Sequence, residues 1–157
     1  MSLKRFLPVI PLAAVLSACA PAEPPAPAAA PDIAFSADAE ISYEGIDLSA
    51  KVTRTAAGEW ELTVSEPYAL EGLTMKISED GTSLSMLGLE GSSDSCESAV
   101  SMARALACAY DAAAGSSLSG TSELGSYTVT LSEDACPAEL TAGGLKVKFN
   151  SFETVST

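Results

Sequence analysis

The chain contains no histidine. That removes the commonest general base and the commonest metal ligand together. Basic residues are scarce: 8 Lys and Arg stand against 21 Asp and Glu, a formal net charge of −13. A surface of that sign repels nucleic-acid phosphates and anionic headgroups, so nucleic acid is a poor partner. Serines are plentiful, but there is no GxSxG or SxxK motif and no histidine to activate one. No catalytic residue is nominated, and the expectation is a non-enzyme that uses no cofactor. Proline is nearly missing after residue 31, where only Pro67 and Pro137 occur.

What is present begins with the N-terminus. Lys4 and Arg5 form a short positive region, and the apolar stretch Phe6 to Leu16 follows it. That stretch is far short of the ~20 apolar residues that span a bilayer. A positive end, a short apolar middle and small residues before a cut describe a secretory signal. The ending Leu16-Ser17-Ala18-Cys19 resembles the lipobox of bacterial lipoproteins at all four positions. The resemblance implies cleavage between Ala18 and Cys19, a diacylglycerol thioether on Cys19, and a signal peptide over residues 1–18. A thiolate is the strong nucleophile that such an alkyl transfer needs. Two acyl chains at ~0.8 kcal/mol per buried methylene anchor stably, where one is marginal. Without Lys4 and Arg5, six basic side chains face the 21 acidic ones, a formal −15.

Residues 19–31 continue as the lipidated cysteine and a Pro/Ala-rich tether, APAEPPAPAAAP from Ala20. Such a composition builds no core and favours extended polyproline II, reaching roughly 35–40 Å.

From Asp32 the pattern changes to strict alternation. Ile33, Phe35, Ala37, Ala39, Ile41 and Tyr43 fall on one face, with Ser36, Asp38, Glu40 and Ser42 on the other. That period of two marks a half-buried strand. Alternation returns after Glu44-Gly45, after Ala57-Gly58, and again at Leu73, Met75 and Ile77. Leu84 and Met86 carry a further strand beyond the Glu79-Asp80-Gly81 hairpin turn. Four more follow late in the chain: a weak one over Leu118–Leu124, a clear one at Tyr127, Val129 and Leu131, a short one at Leu140, and one at Leu145, Val147 and Phe149.

One segment breaks the rule. Cys96 to Ala114 is alanine-rich, holds neither glycine nor proline, and stops at Gly115. Asp94, three residues before Glu97, gives a capping-box-like start. The spacing predicts one helix of about five turns. Val100, Ala103, Leu106, Ala107 and Tyr110 share one side, with Met102 beside them. A helix this apolar must lie on a sheet. The expected fold is α+β and mostly β: a curved antiparallel half-barrel of about nine strands packed on one long helix, over residues 32–157.

The run SYEGIDLSAKVTR…GEWELTVSEPYALEGLTM, the helix, and GSYTVTLSEDACPAELTAGGLKVKF are similar to small predicted lipoproteins of Gram-positive anaerobes. Their topology resembles the LolA/LppX-like half-barrel of lipoprotein carriers and lipid-binding lipoproteins. The resemblance implies a concave face, covered by helix, that holds acyl chains or another apolar ligand. The chain departs from the carriers in its short length and single evident helix. Phe35, Trp60, Met75, Met86, Met102, Leu106 and Tyr110 are the candidate ligand-lining residues; the same residues also suit a plain core.

Cys96, Cys108 and Cys136 remain after Cys19. Cys96 and Cys108 are ~18 Å apart on one helix, too far for a disulfide, while Cys136 could reach either. One bridge and three thiols are both open. No CxxC and no histidine point to zinc. Glu79-Asp80-Gly81 and Glu133-Asp134 lack the alternating carboxylates and distal Glu of a calcium loop, so turn duty is expected and no metal.

The functional expectation is a membrane-anchored envelope lipoprotein that binds or carries a hydrophobic ligand such as lipid. The alternative is a non-catalytic structural or protein-interaction module with a solid core, its partner an envelope protein. Ala20 is not the aspartate-type retention signal of two-membrane bacteria, so the outer membrane would follow in such a cell. The family resemblance favours the outer face of a single plasma membrane. Cys19→Ala should move the protein from the membrane to the soluble fraction on cell fractionation; a mutant that still pellets with membranes excludes the anchor.

Overall fold

In the computed structural model, residues 29–91 and 97–155 are described. The signal segment with Ala18 and Cys19, most of the tether, and Asp94 and Cys96 lie outside them.

Alternation in the sequence becomes alternation of burial. Strand β1 (Phe35–Tyr43) buries Phe35, Ala37, Ala39 and Ile41 on one face. Strand β2 (Ile46–Ala56) pairs with it through a tight turn at Glu44-Gly45, both with positive φ. Strand β3 (Glu59–Glu66) buries Trp60, Leu62 and Val64. A 3-10 turn at Tyr68–Leu70 leads into β4 (Thr74–Ser78), β5 (Gly81–Met86) and β6 (Leu89–Gly91). Helix α1 (Glu97–Gly115) follows, then β7 (Ser119–Ser122), β8 (Gly125–Leu131), β9 (Pro137–Ala142) and β10 (Leu145–Thr154).

Among the described residues, ten strands form one open antiparallel sheet in the order β6-β5-β4-β3-β2-β1-β10-β9-β8-β7. The expected curved sheet packed on a long helix is what the structure shows, with ten strands where about nine were expected. The added one is β6, whose three residues are too few to display a period of two.

The topology explains the helix. From the central β1 the first half of the chain steps outward to the edge strand β6; the second half steps inward from the other edge, β7, to β10 beside β1. The two edges are far apart, and α1 carries the chain between them across the apolar face. Its length of about 28 Å suits that crossing. The helix backbone comes close to β4 on one flank and to β7–β10 on the other. Over the centre of the sheet the gap is filled by larger side chains such as Phe35, Ile41 and Leu62, each 2 % exposed or less. On the helix, Ala103, Ala109 and Ala113 are fully buried. Small side chains there let the flanking strands curl up against the helix, and the sheet becomes a trough around it.

Ala109→Leu adds three carbons where the packing has no room. The expected loss is about 1–3 kcal/mol with the fold retained, read from thermal or urea unfolding.

Candidate functional site

Residue 54 is where the alternation of β2 meets a charge. Leu48, Ala50 and Val52 point inward, and the next inward position is Arg54, flanked by Phe35 on β1 and Trp60 on β3. Arg54 is 1 % exposed. Its Nε donates to Asp111 Oδ1 at 2.8 Å, Nη2 to Asp32 Oδ1 at 2.7 Å, and Nη1 to the carbonyl of Ile33 at 2.8 Å. The guanidinium carbon sits 5.8 Å from the Trp60 ring centroid and 5.5 Å from that of Tyr110, within cation–π range. Asp111 Oδ2 accepts the backbone N–H of Gly58 at 2.9 Å and the Trp60 indole N–H at 3.0 Å. Burial alone would lower the pKa of Arg54. The hydrogen bonds to Asp32 and Asp111, with their charges, outweigh it and hold the group above its ordinary value.

The same cluster seizes the start of the domain. Tyr110 Oη donates to the carbonyl of Pro31 at 3.1 Å, and the N–H of Ala30 donates to the carbonyl of Ala113 at 3.1 Å. Burial pushes the Tyr110 phenol up, so it stays a protonated donor. Among the described residues, folded contacts include Ala30, two residues ahead of the change in sequence pattern at Asp32. Residues 30–33 are held by the end of α1 and by β2.

The seven candidate lining residues divide between two places and the ground between them. Phe35, Trp60 and Tyr110 meet at the Arg54 end, with ring centroids 5.2–5.7 Å apart and steep interplanar angles. Phe152 stacks on Phe35 at 4.7 Å. This end is filled. Leu106 is fully buried at mid-helix, and Met86 on β5 is half-buried. Met75 and Met102 lie at the other end, near the start of α1. They line a cleft of about 350 Å³ with Tyr43, Leu48, Leu70 and Leu73, and Glu97 sits on its wall. Sequence reasoning missed Tyr43, Leu48, Leu70 and Leu73 as lining. Their inward parity was visible, but a parity does not say where the covering helix begins.

Two other hollows are more polar. A shallow depression of about 840 Å³ crosses the outer face of β9, β10, β1, β2 and β3, lined by Glu40, Asp47, Glu66 and Lys148 among others. A smaller one of about 450 Å³ lies between α1 and the β4–β5 turn, beside Arg104 and Asp111. The cleft is the candidate site, because its lining under the start of the helix is more apolar than that of the other two, the chemistry of small-molecule pockets.

Cys108 and Cys136 are unbridged and half-buried, and Cys96 lies outside the described residues. Burial, with the charge of Glu123, raises the Cys108 thiol. Glu79-Asp80 forms the β4–β5 turn and Glu133-Asp134 lies between β8 and β9. Among the described residues no group of Cys, Asp and Glu is placed to hold a metal ion, and no buried side-chain nitrogen or oxygen lacks a partner. No described helix is long and apolar enough to cross a membrane. No protein-family model matches this chain, and no curated protein is similar to it.

Asp111→Ala leaves Arg54 buried beside a lost carboxylate. The expected cost is about 3–5 kcal/mol in urea unfolding. Asp32 is 70 % exposed, so Asp32→Ala should cost no more than ~1 kcal/mol. Equal losses from the two would exclude Asp111 as the dominant partner.

Proposed function

We propose that this protein is an envelope lipoprotein, anchored through diacylglyceryl-Cys19 on the outer face of the plasma membrane, whose domain binds a small apolar ligand by burial and without bond chemistry. The observation that carries the reading is the apolar cleft at the start of α1, lined by Met75 and Met102. At about 350 Å³ it stands near the lower end of the ~300–1,000 Å³ typical of ligand pockets, so it suits one acyl chain or a molecule of similar girth. Each buried methylene stabilises by ~0.8 kcal/mol, so a stretch of about eight supplies roughly 6 kcal/mol before the costs of ordering. Methionines suit such a wall because their thioethers adapt to irregular shapes. The trough-shaped sheet over one helix is consistent with a LolA/LppX-like half-barrel. The filled aromatic end leaves an acyl chain the cleft at the start of α1, far less space than a carrier of whole lipoprotein anchors requires.

The filled end also favours a second reading, a solid interaction module with no ligand. The two part on one experiment. Full-length protein, stripped of lipid, is titrated with a dansyl-labelled medium-chain fatty acid and followed by fluorescence. Uptake at about one equivalent, weakened roughly tenfold or more by Met102→Trp at temperatures where the variant is folded, supports the cleft. Trp60→Ala, at the far end, should lower the melting temperature and leave uptake intact at temperatures where the variant is folded. Absence of uptake by the unaltered protein excludes the ligand reading and leaves the module.

A further inference from the structure

The turns β1–β2, β3–β4 and β5–β6 all lie on one rim of the sheet, the rim at which α1 starts. Exposed large apolar side chains gather there: Tyr68 at 89 %, Leu87 at 85 %, Leu89 at 76 % and Ile46 at 45 %. Leu87 is the most anomalous. The two-residue turn Leu87-Gly88 has positive φ at both positions, 53° and 79°. That turn favours Asn-Gly or Asp-Gly, and a leucine in the left-handed region is strained. Exposed as it is, its side chain adds nothing to the core that could offset the strain. Beside it, β6 is an edge strand paired only with β5 among the described residues, and it carries Leu89 where edge strands commonly carry a lysine or a proline. Leu89 pairs with half-buried Met86, two residues along β5 from Leu84, which pairs with Met75 of the cleft. The apolar face of the trough thus runs on past the helix to an edge that no other described strand pairs.

The charge along this rim is mostly of one sign, and the nearest cation to the β6 edge on the outer face, Lys76 of β4, is paired with Glu61. Glu44, Asp47, Glu66, Glu71, Glu90 and Glu97 are all exposed along the rim, and none is in a salt bridge among the described residues. Lys146, two strands from Asp47 across Ser42, is the one described cation at the start or end of the strands there. Such a rim repels an anionic headgroup surface and a second copy of itself.

We propose that the β6 edge is a docking surface for a cationic partner protein, which adds an extended segment alternating apolar and Lys/Arg side chains. Main-chain hydrogen bonds to β6 give the segment its register. Its apolar side chains meet Leu87, Leu89 and Met86, and its cations meet the rim carboxylates. This surface is separate from the ligand reading and stands whether or not the cleft is occupied.

The test uses the full chain in buffer with phosphatidylcholine nanodiscs, empty nanodiscs as the blank, and a fluorescein-labelled decapeptide of alternating Leu and Lys. Fluorescence anisotropy should show binding at least about tenfold tighter than to Leu/Glu and Ser/Lys decapeptides. Leu87→Ser with Leu89→Ser should weaken it by about tenfold or more, with an unchanged circular dichroism spectrum. Glu66→Gln with Glu71→Gln and Glu90→Gln should weaken it severalfold and flatten its decline with added salt. Glu133→Gln with Asp134→Asn, between β8 and β9, should leave it unchanged. Three results overturn the proposal: equal binding of the three peptides by the unaltered chain, equal binding to empty nanodiscs, or equal weakening by the β8–β9 variant. Dimers that the double serine variant disperses would also overturn it, in favour of a second copy.

Discussion

A guanidinium withdrawn from water must be satisfied on every side, and much of this architecture follows from where Arg54 finds its partners. They come from three separate stretches of chain. Asp111 and Tyr110 lie on the last turns of α1, Trp60 beside the β2–β3 turn, and Asp32 and Ile33 ahead of β1. Hydrophobic contact between an alanine-rich helix and a trough tolerates sliding, because one small side chain resembles the next. The Asp111 carboxylate does not tolerate it. It accepts N–H groups from Arg54, Gly58 and Trp60 together, and a shift of one residue along the helix would turn it out of reach. The clamp thus fixes the position of α1 on the sheet.

The two ends of the trough are consequently unlike. Near Arg54 the space is taken by stacked aromatic rings and fully paired polar atoms. Such an end can hold little else, since any guest must displace rings that already touch. At the start of α1 the helix has no comparable lock, the walls are methionine and leucine, and a cleft stays open. On the proposed reading, rigid support at one end keeps the scaffold in register while the adaptable end accommodates a guest.

Most of this fold was legible from spacing. The inward positions from Phe35 to Tyr43, the turns at Glu44-Gly45 and Gly58, and the helix each announced themselves through a single local rule, while Ile33, expected on the same strand face, lies ahead of β1. The β6 strand did not, because three residues cannot show a period. The cleft was half legible: Met75 and Met102 were nominated, while Phe35, Trp60 and Tyr110 have equal hydrophobicity and stand in filled space. Hydrophobicity locates an inward face and says nothing of whether the space before it is empty. The clamp left two traces in the sequence. Arg54 occupies an inward position of its strand, and Asp111 is the only acid on the helix after Glu97. Each alone reads as a strand end or a solvated turn. Their pairing, across 57 residues, belongs to the tertiary structure.

The position of the two terminal strands carries a consequence for how the chain reaches this state. β1 and β10 are neighbours at the middle of the sheet, with Phe35 opposite Thr154 and Tyr43 opposite Leu145. The seam joining the two halves is therefore made by the most distant strands in the sequence. Each half can assemble from local hairpins, but the trough closes around its helix only after the last strand is available. Pairing at that separation carries a large loop-closure cost and is slow. Until the seam forms, β1 and β10 are both edges, with apolar faces uncovered and ladders unpaired. The period before the final strand docks is thus the time when the chain is most open to a wrong pairing, or to a helper that shields it.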